Sequence, residues 1–155
     1  MARTADIHVH HHVHGPHQSM FSQVKEFHEV MGLDVSNGPI DMKQLHPHGP
    51  ESSSPLWRLR AELVREEYEE FMDAMAKEDL VEIADAICDL HYVLSGTSVS
   101  FGIPEDECFA EVHASNMSKV DADGTIHRRE DGKIIKGDGF FAPDLHSIIY
   151  PEPRG

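Results

Sequence analysis

The sequence predicts a small all-α domain with an irregular C-terminal extension. Four segments carry apolar residues at the three- and four-residue spacing of a helix. These segments are bounded by serine, aspartate, proline and glycine residues that favour helix ends. The chain has 155 residues, which suits one domain and leaves little room for a second. We therefore expect a four-helix bundle that oligomerisation completes.

Residues 1–18 form a histidine-rich arm before the first predicted helix. They hold six of the thirteen histidines and few large aliphatic side chains. A segment of this composition buries too little apolar surface to fold, so we expect it to be disordered. It is typical of a purification tag or an unstructured native arm, and metal sensing is the alternative because His-rich tracts bind transition metals. The domain itself is predicted to span residues 19–155.

The first helix is predicted to follow Ser19, which can cap it. Apolar residues then recur at helical spacing as far as Met31. Gly32 is a suitable stop, because glycine adopts the left-handed conformation that ends many helices. Residues 33–55 are rich in proline, glycine and serine and are predicted to be a loop.

Two long helices are predicted next, with a very short connection between them. Ser54 provides a cap for a helix over residues 55–77, which has proline in its first turn. Asp79 caps the following helix over residues 80–101, which ends at Gly102. The predicted core stripe of this second long helix consists of Ile83, Ile87, Leu90 and Leu94.

A fourth helix is predicted from Pro104 to about Ser118. Asp-Gly turn dipeptides at 123–124 and 131–132 flank a short stretch and predict a small hairpin. The tail over residues 137–155 is rich in glycine and proline, and we expect it to wrap over the helices.

The charge of the chain argues against two classes of partner. Acidic residues number 28 against 13 lysines and arginines, which gives a net charge of −15. Such a surface repels phosphate backbones and anionic lipid, so we expect neither a nucleic-acid polymer nor a membrane as partner. The sequence has no apolar run of the roughly 18 residues that a membrane span needs. Cys88 and Cys108 could not form a disulfide framework, which favours a cytoplasmic protein.

Six acidic residues on the two long helices fall on one face of each helix. At 100° per residue, the three on the first helix lie within an arc of about 100°, and the three on the second within about 60°. Because the connection between the helices is short, we expect antiparallel packing that brings both groups together. These residues, named here the acidic set, are Glu66, Glu67, Glu70, Glu82, Asp85 and Asp89.

An acidic set that faces inward needs compensation, because carboxylates at close range repel one another. Oxygen ligands of this kind suit hard cations such as Mg²⁺ or Mn²⁺. The alternative is a solvated face whose acids pair with lysine or arginine along the helix. Arg65 and Lys77 could serve some of these acids, but no lysine or arginine lies between Lys77 and Lys119. The pattern therefore favours a metal site.

Other metal chemistries do not fit the residues. A ferritin-like di-iron site needs Glu-x-x-His pairs, and none occurs. An EF-hand is excluded because Ile126 stands where the calcium loop needs glycine. A Mg²⁺ or Mn²⁺ site for phosphate chemistry remains.

Basic residues are concentrated after the fourth helix. Residues 119–136, named here the basic segment, contain five of the thirteen lysines and arginines. In so acidic a protein, this concentration indicates a binding site for an anion such as polyphosphate. A charged surface hairpin would have the same composition. The five residues are Lys119, Arg128, Arg129, Lys133 and Lys136.

At these positions the chain resembles a known superfamily. The first long helix holds E-x-x-E within R-E-E-Y-E-E, and the second holds E-x-x-D within V-E-I-A-D-A-I-C-D-L-H-Y. The match continues through F-H-E-V-M-G, G-T-S-V-S-F-G-I, E-V-H-A-S-N-M-S-K and D-G-K-I-I-K, in that order along the chain. In this ordered set the sequence resembles the MazG-like all-α nucleoside triphosphate pyrophosphohydrolases, in the branch with bacterial dUTP-preferring enzymes and phage relatives. The E-x-x-D motif can end at Asp85 or align with Asp89, so both aspartates are candidates.

The resemblance implies hydrolysis of a nucleoside triphosphate to the monophosphate and pyrophosphate. It implies two or three Mg²⁺ or Mn²⁺ ions held by the acidic set, with Glu66 or Glu67 orienting or deprotonating the attacking water. It also implies four phosphate contacts, from Asn116, Lys119, Lys133 and Lys136.

Base choice and assembly follow from the same resemblance. Phe27, Trp57 and Tyr92 are candidates for stacking on the base, although aromatic residues at such positions more often belong to the core. Phage MazZ-type enzymes resemble the chain in motif order, so dGTP or GTP is the first expected substrate, with dUTP or dCTP next. Relatives assemble as dimers or dimers of dimers, which implies a homodimer or homotetramer. The competing hypothesis is a non-enzymatic helical module that binds metal or a partner.

Overall fold

The structure is a computed structural model that describes residues 18–45 and 54–152. Within these residues it contains helices and no strand, so the predicted all-α fold class is confirmed. The histidine-rich arm at residues 1–17 lies outside the described residues. The helices are α1 (Met20–Met31), α2 (Met42–Leu45), α3 (Pro55–Lys77), α4 (Leu80–Phe101), α5 (Glu105–Met117) and α6 (Leu145–Ile149).

Side-chain caps fix the beginnings of the three main helices where the sequence predicts them. Ser19 and Ser54 each accept a hydrogen bond at 3.1 Å from the backbone N–H three residues later. Asp79 accepts one at 2.9 Å from the backbone N–H of Val81. The glycines that follow α1 and α4 have φ of 67° and 68°, a left-handed conformation that costs glycine little. The predicted bounds of α1, α3 and α4 are therefore confirmed.

The α3–α4 hairpin is the centre of the fold. Glu78 turns the chain between the helices with a φ of 56°, which is rare for a residue other than glycine. Below this turn Ala74 and Ala86 are buried and line one cleft between the helices. Their small side chains allow the two backbones to approach closely. Helix α1 packs on α4 as a third element of this assembly.

The predicted core stripe of α4 is wrong for two of its four residues, while Ile83 and Leu90 are half-buried. Ile87 and Leu94 are 43% and 47% exposed, whereas Gly96 and Ser100 are buried on the face that meets the other helices. The prediction assumed that the most apolar face of a helix packs within its own chain, and here the face with small residues does so. Among the described residues the buried hydrophobic side chains are Val24, Ala74, Ala86 and Val99.

A buried histidine–arginine contact joins α1 to α3. His28 and Arg60 are 2% and 7% exposed, and Nη2 of Arg60 donates to Nε2 of His28 at 3.4 Å. Nδ1 of His28 then donates to the backbone oxygen of Asp34 at 2.9 Å, so the ring carries its proton on Nδ1. Burial lowers the pKa of the Arg60 guanidinium, and the charge of Asp34 opposes that shift. This contact lies directly over Gly96 of α4.

The C-terminal part of the chain is organised around α5. The hydroxyl of Ser115 donates to the backbone oxygen of Phe141 at 2.8 Å, and Glu111 accepts from the backbone N–H of Asp144 at 3.0 Å. The predicted hairpin is reduced to two isolated antiparallel bridges, which pair residue 120 with 126 and residue 128 with 134. The tail does contact a helix, as expected. Helices α2 and α6 were not predicted, because segments of four or five residues show no full helical period.

None of the helices in residues 18–45 and 54–152 is long and apolar enough to cross a membrane.

The close approach at Gly96 gives a test of this packing. A Cβ on Gly96 would stand 3.0 Å from both Nη1 of Arg60 and Nε2 of His28. We expect Gly96→Ala to destabilise the protein by about 1–2 kcal/mol, despite the better helix propensity of alanine. Chemical denaturation with the free energy of unfolding as readout measures this change. Gly38→Ala is the control, because a Cβ there meets no atom within 4 Å. Equal or greater stability of Gly96→Ala would show that the contact is loosely packed.

Candidate active site

An acidic cleft of about 170 Å³ lies between α3 and α4 near their connection. It exists because the tight turn sets the two helices antiparallel and because the alanines at its floor leave space. Four members of the acidic set line it, and the remaining two lie one turn further along α3. The cleft is lined by Glu70, Asp73, Ala74, Lys77, Glu82, Asp85, Ala86 and Asp89.

Glu67 is a member of the acidic set on α3 that lies near a carboxylate of α4. It is half-buried, whereas Glu66 is exposed. Burial raises the pKa of Glu67, and the charges of Glu70, Asp89 and Glu66 raise it further. Asp89 belongs to α4, so these contributions show that carboxylates of both helices act on one another across the hairpin.

The basic residues nearest in sequence do not neutralise the acidic set. Arg65 forms ion pairs with Glu62 and, at 2.6 Å, with Glu69, both of which lie outside the acidic set. Lys77 lines the cleft without an ion pair to any of its carboxylates. Across residues 18–45 and 54–152, no ion pair involves a member of the acidic set. The acidic set therefore lacks lysine and arginine pairs, while all of its members except Glu67 are exposed, as those of a solvated face would be.

The donor set of the cleft has the chemistry that a hard divalent cation requires. All its candidate ligands are carboxylate oxygens, which are the ligands that Mg²⁺ and Mn²⁺ prefer. Within the described part of the chain, no three His, Cys, Asp or Glu side chains converge closely enough to hold an ion as they stand. Mutual repulsion favours such a spread arrangement when no cation is present.

Two residues of the cleft were not among the predicted site residues. Asp73 lies one turn beyond Glu70, between it and Lys77, and its place in the cleft follows from helical spacing. Lys77 was considered as a partner for the acids, and it lines the cleft without forming an ion pair with them. The spacing of the acidic pattern could have identified Asp73, but the E-x-x-E motif directed attention to residues nearer the middle of α3.

Two of the three aromatic candidates for base binding lie together. The rings of Phe27 and Tyr92 meet edge to face, with centroids 5.5 Å apart. Tyr92 also lines an apolar groove of about 290 Å³ between α1 and α4. Trp57 is not among the residues that line this groove. The groove is lined by Met20, Gln23, Val24, Ile87, Cys88, His91 and Tyr92.

The apolar groove and the acidic cleft are neighbours on α4. Cys88 lines the groove and also a shallow depression that contains Glu82 and Asp85. These two acids in turn line the cleft. A continuous surface therefore leads from carboxylates to an apolar pocket within about one helical turn.

The predicted phosphate-binding residues fall in the C-terminal part of the chain. Nζ of Lys119 donates to Oδ1 of Asn116 at 2.7 Å, so the structure brings these two together. Nζ of Lys136 lies 4.3 Å from the centre of the Phe140 ring, a cation–π contact. The backbone N–H of Lys133 donates to Asp131 at 3.1 Å, within the turn of the small hairpin.

No residue of this C-terminal part is among those that line the acidic cleft. The hydrogen bonds and ion pairs found for residues 116–150 all stay within residues 111–150. Helix α5 packs chiefly on α6, whereas α3 and α1 pack on α4. The start of α5 is joined to the other helices, because the hydroxyl of Ser95 donates to Glu105 at 2.8 Å and the hydroxyl of Ser19 donates to Asp106 at 2.7 Å.

Comparison with protein families identifies the helical part. The model of the family described as phosphoribosyl-ATP pyrophosphohydrolase matches residues 24–116. The chain belongs to this family. The matched residues run from α1 to the last turn of α5 and include both halves of the acidic set. No curated protein matches the chain.

Family membership has two consequences. The family is an all-α, nucleotide pyrophosphohydrolase-like group related to the MazG superfamily, so the superfamily resemblance inferred from the motifs is confirmed at that level. It implies a hydrolase that acts on phosphoric anhydrides. Pyrophosphohydrolases of this family generally use divalent metals, which agrees with the oxygen-rich donor set of the cleft.

The raised pKa of Glu67 predicts a specific effect on stability. A carboxyl group whose pKa is higher in the folded state stabilises the protein below its ordinary value of 4.5, and this contribution is lost as the pH rises through the folded value. Above that pH the ionised carboxylate of Glu67 destabilises the folded state, and Glu67→Gln removes this destabilisation. In metal-free buffer at neutral pH we expect a higher melting temperature than wild type, and the gain should vanish near pH 4.

Glu62→Gln is the matched control for this experiment. The hydrogen bond from Arg65 lowers the pKa of Glu62, so its ionised form is favoured in the folded state. Its substitution should not raise the melting temperature at neutral pH. A lower melting temperature for Glu67→Gln would mean that its carboxylate is stabilised by contacts other than those described.

Proposed function

We propose that the chain hydrolyses a nucleoside triphosphate to the monophosphate and pyrophosphate, with Mg²⁺ or Mn²⁺ held by the acidic set. The observation that carries this proposal is the acidic cleft itself. Carboxylates from two helices share it, and no lysine or arginine of residues 18–45 and 54–152 pairs with them. The divalent cations that accompany a polyphosphate offer the positive charge that such a site lacks.

Two or three divalent ions would neutralise phosphate charge and lower the pKa of a bound water when present. The chain contributes the ligands, which have to be ionised to bind. These ligands are Glu66, Glu67, Glu70, Glu82, Asp85 and Asp89.

Glu67 is the better candidate for the general base. It is half-buried and adjoins carboxylates of both long helices, whereas Glu66 is exposed. Its raised pKa brings it nearer to the range in which a carboxylate can take a proton from water. Glu66 would then serve as a ligand and orient Glu67.

The apolar groove between α1 and α4 is suited to the nucleobase. It adjoins the acidic cleft through Cys88, and Tyr92 and the nearby Phe27 provide aromatic surfaces. Gln23 and His91 line the same groove and offer hydrogen bonds to the edge of a base. We propose dGTP or GTP first, then dUTP or dCTP. Trp57 remains a candidate for stacking from outside this groove.

The outer phosphates require cationic groups, and the cleft lining offers Lys77 alone. We assign this role to Lys119, Lys133 and Lys136, with Asn116 as a neutral donor beside Lys119. Ammonium groups bind phosphate oxygens as point charges and tolerate several phosphate positions.

We further propose a homodimer or homotetramer in the cytoplasm. The apolar stripe on α4 is uncovered, and further aromatic and methionine side chains on α3 are about half exposed. A second copy would cover these faces and complete a four-helix bundle. A phage-encoded member of the family would act in the host cytoplasm.

The reaction is tested by a nucleotide panel with product analysis. Purified protein with Mn²⁺ is incubated with each dNTP and NTP, and with phosphoribosyl-ATP because the family name specifies it. We expect pyrophosphate and the monophosphate, with the guanine nucleotides cleaved fastest. Glu67→Gln should lose about 100-fold or more in kcat. Release of orthophosphate with a diphosphate left behind would contradict the proposed bond cleavage.

Metal binding separates the enzyme from the non-enzymatic module. Isothermal titration with Mn²⁺ uses a chain without residues 1–18, so that the histidine-rich arm does not contribute. We expect Glu70→Gln to weaken binding by at least about tenfold, because it removes a ligand and a charge together. Glu62→Gln should bind like wild type, since Glu62 pairs with Arg65. Undetectable binding by wild type would favour the module.

A further inference from the structure

The guanidinium of Arg60 is a buried cation with little compensation. Its Nε is buried and has no hydrogen-bond partner among residues 18–45 and 54–152, and within these residues Arg60 forms no ion pair. Nη2 donates to Nε2 of His28, which is 2% exposed. An apolar side chain of similar size would avoid the cost of burying this charge.

The register of the α3–α4 hairpin connects Arg60 with the acidic cleft. Arg60 faces Gly96 of α4, because a Cβ on Gly96 would stand 3.0 Å from Nη1. Seven residues further along α3 is Glu67, and seven residues back along α4 is Asp89. Burial raises the pKa of Glu67, and the charges of Glu70 and Asp89 raise it further. Seven residues are about two helical turns, or roughly 10.5 Å, so the two pairs are layers of one helix interface.

Helix α1 fixes the layer at Arg60 through the ring of His28. Nδ1 of His28 donates to the backbone oxygen of Asp34 at 2.9 Å. The hydroxyl of Ser100 on α4 donates to the same oxygen at 3.2 Å. Both nitrogens of the ring are therefore used, one towards α3 and the other towards the loop that α4 also holds. The contact of His28 and Arg60 over Gly96 is named here the junction.

We propose that His28 and Arg60 are positioning residues for the acidic cleft. The junction sets the distance between α3 and α4 in the layer of Glu67 and Asp89, at which these carboxylates hold a divalent cation. Without the histidine acceptor the guanidinium is buried unpaired, and outward movement of α3 lets it reach water. The same movement separates the carboxylates. This inference rests on the metal site of the proposed function and adds the residues that keep its shape.

A double-mutant cycle tests this coupling without metal or nucleotide. Glu67→Gln is expected to raise the melting temperature at neutral pH, as described above. In a His28→Leu background α3 can move outward, so the same substitution should bring less than half of that gain. Sites about 10 Å apart that share no partner otherwise contribute additively. An undiminished gain in the His28→Leu background would overturn the inference.

Two further backgrounds are the controls for this cycle. His28→Gln keeps an oxygen that can accept from Arg60, so Glu67→Gln should bring its full gain there. Ser115→Ala removes a buried hydrogen bond of α5 and destabilises the protein away from the junction. The gain should be complete in this background too. An equal reduction in all three backgrounds would show a general loss of stability and contradict a positioning role.

A milder variant replaces His28→Leu if that protein does not fold. The side chain in His28→Asn can still donate to the backbone oxygen of Asp34 but is too short to accept from Arg60. It should reduce the gain from Glu67→Gln in the same way.

Metal affinity is the second readout. Mn²⁺ is titrated into the full chain, where the histidine-rich arm contributes equally to every variant, at a temperature at which each is folded. His28→Leu should weaken binding about tenfold or more, as is typical of residues that orient metal ligands, and His28→Gln and Ser115→Ala should bind like wild type. Wild-type affinity of folded His28→Leu would overturn the inference and leave the proposed function intact. If wild type binds no Mn²⁺, the proposed function fails, and the double-mutant cycle still decides whether the junction positions the carboxylates.

Discussion

The repulsion among carboxylates held together by α3 and α4 is the constraint on which the structure depends. Two helices with acids on facing sides approach closely because Ala74 and Ala86 are small and buried. The connection at Glu78 is too short to let the two helices separate at this end. Burial raises the pKa of Glu67, and the neighbouring carboxylates of both helices raise it further. A protein that keeps such an arrangement has to offset the charge with something other than its own lysines and arginines.

The opposite end of the same hairpin supplies the rigidity. Arg60 and Glu67 are seven residues apart, which puts them on the same face of α3 two turns apart. Arg60 is held by His28 over Gly96, so α1, α3 and α4 meet at a contact with little free space. A hairpin fixed there resists the opening that carboxylate repulsion at the other end would favour. The buried arginine therefore contributes to the geometry of the cleft without lining it.

Local signals in the sequence determine the helix ends, and these were predictable. Caps such as Ser54 and Asp79 act on backbone groups within three residues, so the sequence alone contains the information. The grouping of the acids was predictable for a similar reason, since it needs only the helical period and one short turn. Asp73 was not predicted because it lies outside the E-x-x-E motif, although it lines the cleft.

The face of α4 that packs within the chain was not predictable from its apolar residues. Burial usually follows apolar side chains, but close helix approach follows small ones, and α4 carries both on different faces. Its small face meets α1 and α3, and its larger apolar face with Ile87 and Leu94 stays exposed. The exposure of the larger apolar face bears on how copies of the chain could assemble. The proposed assembly would bury this apolar face, which the described residues leave open.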